Sequence, residues 1–174
     1  MRKWVLIVLL AAVAACQPAE RTSREAEPVE RAEQKLISAL PVTPYPEAKT
    51  VRLFVARPFA EVRAGADEYV RPKGQMLTAD QRSAFEATLR LANYDRELGY
   101  AAACFIPHHF VRYYDASDRV IGEFQVCFCC TGIRADPHIS APLPRGAKVQ
   151  DLEFDYARLK AWVEAMGYST DIDC

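Results

Sequence analysis

The 174-residue chain has no apolar run long enough to cross a membrane as a stable helix. A bilayer core of roughly 30 Å needs about 20 apolar residues, and the longest run, Trp4 to Ala15, has only about a dozen. The chain also has no surplus of positive charge. It carries 22 Lys and Arg against 23 Asp and Glu, a net charge of −1 at pH 7. No basic cluster stands out, so the electrostatic footprint of a nucleic-acid-binding protein is missing. There is no internal repeat, which excludes a stacked-repeat architecture. Histidine is scarce, at three residues, and a second Cys-x-x-Cys pair is missing, which removes the pattern of a four-thiolate zinc ribbon.

What the chain does have begins at its N-terminus. Arg2 and Lys3 precede the apolar run, and small residues precede a break, Val13-Ala14-Ala15-Cys16. A basic start, a short apolar middle and small residues compose a secretory signal peptide over residues 1–15. The break resembles the lipobox of bacterial lipoproteins. That resemblance implies cleavage before Cys16, a diacylglycerol on its sulfur and a fatty acyl chain, such as palmitate, on the new amine. Several acyl chains at about 0.8 kcal/mol per buried CH₂ hold a protein lastingly on a membrane. Gln17 follows Cys16, a pattern that implies the outer membrane, facing the periplasm, in a Gram-negative cell. Removing Arg2 and Lys3 from the 22 basic residues leaves 20 against 23 acidic ones, about −3 for the mature chain. Export and this charge together exclude nucleic acid as a partner.

Residues 16–46 are poor in aromatics and rich in Ala, Glu, Arg and Pro, the composition of a tether. Within them, Val29, Ala32, Leu36 and Leu40 fall on one stripe, which predicts a marginal helix from Pro28 to Leu40. Pro41, Pro44 and Pro46 end it and place the start of a globular domain, 47–174. In that domain Val51, Leu53 and Val55 alternate with Arg52 and Phe54, a strand pattern. Thr78 and Gln81 form a capping-box signal, and Phe85, Leu89 and Ala92 extend it to a helix over 79–92. Thr131 to Gly146, broken by Pro137, Pro142 and Pro144, reads as a loop that carries His138. Asp155 caps a second helix with a Leu159, Trp162, Val163, Met166 stripe, ended by Gly167. The expected fold is α+β: a small antiparallel sheet built around a central hairpin, with about two helices packed on it.

The hairpin is Cys104 to Cys130, turning at Asp115-Ala116-Ser117-Asp118. With Tyr114 opposite Val120 and no irregularity, Phe110 faces Phe124 and Cys104 faces Cys130. Ile106, Phe110, Phe124, Val126 and Phe128 then share a core face. His109, Val111, Tyr113, Cys127 and Cys129 fall on the other. Near the turn, Arg112, Tyr113 and Tyr114 are candidates for a recognition edge, and Asp115 and Asp118 are turn formers.

Around this hairpin Cys104, Pro107, His108 and His109, followed by Val126, Cys127, Phe128 and Cys130, resemble a family of uncharacterised bacterial secreted proteins and lipoproteins. Those share a Cys-x-x-Pro-[basic]-His segment and a return strand ending in Cys-Phe-x-Cys. The resemblance covers roughly residues 100–170; His108 stands where the family has arginine more often, and Cys129 is additional. It implies kinship and says nothing about mechanism.

Five cysteines follow Cys16, and in an oxidising compartment they predict one or two disulfides, with at least one thiol left over. The assumed register makes Cys104 and Cys130 the disulfide candidates, and Cys174 a second staple. The metal alternative is a Zn²⁺ or Cu(I) site of Cys104, His109, Cys127 and Cys130, with His138 or Cys129 as substitutes. A redox pair of Cys127 and Cys130 is a third reading, although it lacks the helix N-terminus that lowers a thiol pKa. Cys127 with His109 as a hydrolase pair lacks an orienting group and an oxyanion hole. No catalytic residue and no cofactor is assigned. The expected function is a lipid-anchored envelope protein acting as a non-catalytic binding or interaction module for an envelope partner, stapled by disulfide. The alternative is a metal-binding or thiol-active lipoprotein.

Overall fold

Two antiparallel sheets carry the fold. The computed structural model describes residues 35–96 and 104–174, which belong to one compact unit, Glu33–Cys174. In chain order the elements are β1 (Leu36–Pro41), β2 (Thr50–Val55), α1 (Phe59–Arg63), β3 (Gln75–Met76), α2 (Ala79–Glu86), β4 (Leu89–Tyr94), β5 (His109–Tyr114), β6 (Val120–Cys127), β7 (Gly132–Asp136), β8 (Val149–Phe154) and α3 (Tyr156–Ala165). Five strands pair in the order β3-β2-β5-β6-β7 and three in the order β1-β4-β8. The α+β class expected from sequence is therefore correct, with one more sheet and one more short helix than expected. No described helix is long and apolar enough to cross a membrane.

The five-stranded sheet has an inner and an outer face, because side chains alternate along each strand. Across the inner face, Leu53, Val111, Phe124 and Ala135 lie in one row and Val55, His109, Val126 and Ile133 in the next. Phe85 of α2, Leu89 and Leu91 of β4, and Leu159 and Val163 of α3 complete the same core cluster. The helices begin where polar side chains satisfy their first N–H groups. The Thr78–Gln81 capping box is formed in both directions, and Asp155 accepts from the Arg158 N–H at 3.1 Å. Each such cap stabilises its helix by about 1 kcal/mol.

Three expectations give way to the sheets. The segment 36–41, read as tether and helix, is strand β1, paired with β4 from Leu36↔Tyr94 to Pro41↔Arg90. The domain therefore starts before residue 47, and the rest of the expected helix, 28–34, lies outside the described residues, as do the signal peptide and Cys16. Helix α2 stops at Glu86, not at 92; Thr88 closes it by donating its hydroxyl to the Phe85 carbonyl, and Leu89 opens β4. Phe85, Leu89 and Ala92 are all buried, so they mimic one helical stripe while belonging to two elements. The 131–146 loop contains β7, which extends the five-stranded sheet by one edge.

The hairpin forms with the expected turn: the Asp115 carboxylate accepts from the Ser117 and Arg119 N–H groups, and Asp118 takes φ +57°. Its register differs by one residue. Tyr114 pairs with Val120, but Ile121 is an added residue, after which Tyr113 pairs with Gly122 and Phe110 with Gln125. A bulge of this kind turns every preceding β5 side chain to the opposite face. Val111 and Tyr113 therefore enter the core, and Phe110 leaves it. Gly122 is required at its position, because a Cβ there would overlap the Tyr45 ring, which crosses the strand to donate its hydroxyl to the Pro137 carbonyl at 2.9 Å.

Candidate functional site

Strand β6 delivers four sulfur- or ring-bearing residues in succession. Cys127 closes the strand and is buried, Phe128 packs inward, Cys129 is exposed, and Cys130 is half-buried in the turn. Cys129 is disulfide-bonded to Cys174, with Cα atoms 5.4 Å apart. Cys104, Cys127 and Cys130 are free thiols. The expected Cys104–Cys130 bond is thus replaced by Cys129–Cys174. Cys104 and Cys130 nonetheless lie beside one another, as free thiols.

The bond ties down the C-terminal tail, Gly167 to Cys174. Thr170 and Ile172 are buried beneath it, and the Asp173 carboxylate accepts from the Phe59 N–H at 2.6 Å. The tail also covers the two hairpin histidines. His109 Nε2 lies 2.9 Å from the Ser169 carbonyl oxygen, and an oxygen with only lone pairs requires that nitrogen to carry the proton. Nδ1 then presents a bare lone pair, buried and without a hydrogen-bond partner. Burial pulls the His109 pKa down to about 4, the Ser169 carbonyl opposes this, and a charge on His108 adds to it. Burial lowers His108 as well, against the pull of the Asp173 carboxylate. His108 packs edge-on to Phe59, and His109 edge-on to Phe128 at a centroid distance of 4.9 Å.

A pH dependence follows. The unfolded imidazole titrates near its ordinary 6.5, and the folded one near 4. Between these values the unfolded chain binds a proton that the folded chain refuses, so stability is full above 6.5 and falls as pH drops towards 4. At 1.36 kcal/mol per unit the loss approaches roughly 3 kcal/mol. Urea unfolding of the wild type at pH 7 and pH 4.5 should show the drop. His109→Gln, which keeps a donor for Ser169, should flatten it; an equal drop in both proteins would remove His109 as its source.

The thiols lie close together. The Cys130 sulfur is 2.7 Å from that of Cys127, and Cys104 lies near enough to Cys130 to raise its pKa. Burial first, then these two neighbours, raises the Cys130 pKa to about 11. Among the described residues no group of three or more His, Cys, Asp or Glu is placed to hold a metal ion. Two thiolates on one tetrahedral zinc, each at 2.3 Å, stand about 3.8 Å apart, wider than Cys127 and Cys130 do. Of the metal quartet, Cys127 and Cys130 come together with Cys104 next to Cys130, whereas His109 turns Nε2 to the tail and has only Nδ1 to offer. His138 sits exposed in the loop after β7.

A second surface went unrecognised in the sequence. On the outer face of the five-stranded sheet, Met76, Arg52, Arg112, Glu123 and Asp136 form one row, and Phe54, Phe110, Gln125 and Arg134 the next. The Arg112 guanidinium lies 4.5 Å from the Phe54 ring centroid and 5.3 Å from that of Tyr69, and it pairs with Glu123. Arg52 stacks on Tyr114 and binds Asp118; Arg134 stacks on Phe105. Of the expected recognition edge, Arg112 is on this face, but Tyr113 is in the core, with its hydroxyl against Glu86. The alternation of Arg52 and Phe54 with Val51, Leu53 and Val55 was the available signal for this face.

No family model, curated protein or solved structure matches the chain.

Proposed function

We propose that this protein is a lipid-anchored component of the bacterial cell envelope that acts as a non-catalytic binding module, presenting the outer face of its five-stranded sheet to an envelope protein partner. The observation that carries the reading is the composition of that face. Arg, Phe and Met are among the residue types enriched in interface cores, and here they stand in two adjacent rows, with Phe54 buried against Tyr69, Met76 60% exposed at one edge and Arg134 exposed at the other. The Cys129–Cys174 bond supports an oxidising compartment, and the Val13–Cys16 lipobox supports the anchor. The hairpin histidines support a non-catalytic role, since one is buried in its neutral form beneath the tail.

The experiment is in-cell photo-crosslinking from a reactive side chain placed at 76 or 134, with 164 on the exposed side of α3 as the control. A discrete adduct from 76 and 134 and none from 164 is expected. Equal labelling from all three positions, or none, would overturn the binding face. The anchor is tested separately. Cys16→Ser should leave uncleaved, unacylated precursor, and unchanged partition into the detergent phase would refute the lipoprotein reading.

A second reading, a thiol-active envelope protein, is favoured by one observation, the 2.7 Å approach of the Cys127 and Cys130 sulfurs with Cys104 beside them.

A further inference from the structure

We infer that Cys104, Cys127 and Cys130 form a three-thiol relay in which Cys104 takes disulfides from solution and the Cys127–Cys130 pair is oxidised to a disulfide. The inference deepens the thiol-active reading and rests on it.

The three residues are graded in exposure. Cys104 is exposed, Cys130 is half-buried, and Cys127 is 1% exposed. A bulky disulfide can therefore reach Cys104 but not Cys127. Cys130 is the link, since its sulfur is 2.7 Å from that of Cys127 and Cys104 is its other thiol neighbour. Cys127 and Cys130 are three residues apart around the turn that ends β6, so forming their bond closes a minimal loop. The fourth nearby sulfur, Cys129, is already bonded to Cys174 and holds the tail.

The steps balance. The Cys104 thiol, having lost its proton to solvent, attacks one sulfur of an incoming R–S–S–R. That bond breaks, the first R–S⁻ leaves and is protonated, and a Cys104–S–R mixed disulfide remains. Cys130 loses its proton and attacks the Cys104 sulfur, expelling the second R–S⁻, which takes up a proton. Cys127 then attacks the Cys130 sulfur, forming the Cys127–Cys130 bond and returning Cys104 as a thiol. In sum two protein thiols give up two electrons and two protons, and R–S–S–R receives them as two R–SH. The substrate class is a solvent-accessible disulfide, protein-borne or of low molecular weight. The high Cys130 pKa slows its attack on any disulfide, so Cys130 acts on the mixed disulfide that Cys104 holds beside it rather than on disulfides free in solution.

The test uses the full chain, purified from envelopes in detergent, with oxidised glutathione as probe. Peptide mapping by mass spectrometry follows each cysteine with time, and the Cys129–Cys174 peptide is the internal reference. In the wild type, glutathione should appear first on Cys104 and then give way to a Cys127–Cys130 link. Cys104→Ser should oxidise the pair at least about ten-fold more slowly, and Cys130→Ser should trap glutathione on Cys104. Wild-type labelling that appears first on Cys127 or Cys130, or a Cys104→Ser variant that oxidises at the wild-type rate, would overturn the relay while leaving the thiol-active reading standing. A Cys127–Cys130 pair that stays reduced in excess oxidised glutathione would defeat the thiol-active reading itself. The order of labelling in the wild type needs no variant, so a folding defect in a mutant does not blunt the test.

Discussion

Replacing Cys174 with serine is expected to lower the unfolding free energy by about 4 kcal/mol. The bond it removes joins residues 45 apart in sequence, Cys129 and Cys174. In the chain-entropy model a loop of that length restricts the unfolded chain by about 13 cal/mol/K, which gives this figure at 25 °C. For a domain of this size the midpoint should fall by roughly 8–16 °C. The measurement is a thermal melt of the wild type and of Cys129→Ser, Cys174→Ser and the double variant. The double variant should lose little more than either single one, because both residues belong to one bond. Reductant should lower the wild-type melt towards that of the variants, since both cysteines are exposed at the surface. The tail should loosen in the same variants. It lies over His109 through the Ser169 carbonyl and over α1 through Asp173, so exchange of the Phe59 amide should quicken. A wild-type melt that ignores reductant while chelation lowers it would point instead to metal.

Phe124→Ala should cost about 3–5 kcal/mol, the range for emptying an aromatic site in a closed core. Phe124 is fully buried, and its ring meets Phe85 at 5.5 Å, Tyr45 at 5.8 Å and Tyr113 at 5.9 Å between centroids. Phe110→Ala provides the comparison. In an unbulged hairpin Phe110 would face Phe124 across the same core, and the two substitutions would cost alike. In the structure it faces Gln125 on the outer face, half-buried near Tyr69 and Arg112. There the loss should be nearer 1 kcal/mol, the scale of one aromatic contact. Chemical denaturation of the two variants thus reads the register directly, and equal losses would contradict the bulge.

The hairpin shows how far alternation reaches. On β6 and just past its end, Phe124, Val126 and Phe128 were legible as core residues, and all three are buried. On β5 the same rule assigned the wrong face, because a single inserted residue, Ile121, leaves no mark in the composition of either strand. The turn was legible because Asp115 and Asp118 satisfy local backbone groups, and local bonds need only neighbours in sequence. The same holds for the Thr78–Gln81 and Asp155 caps. Helix α2 was overrun because burial at Phe85, Leu89 and Ala92 fits a helical stripe, whereas the strand beyond Glu86 is defined by pairing with β1 and β8.

By itself the sequence determined the α+β class, the caps, the hairpin turn and the crowding of Cys127, Cys129 and Cys130 at the end of one strand. Each of these depends on residues a few positions apart, whose geometry is set by backbone sterics and local hydrogen bonds. Only the tertiary structure decided which cysteine bonds to which, that the tail covers His109, that residues 36–41 join a sheet, and that Arg112 stands among aromatic rings on an outer face. Those outcomes join segments separated by tens of residues, and a one-residue change in register rearranges all of the contacts between them.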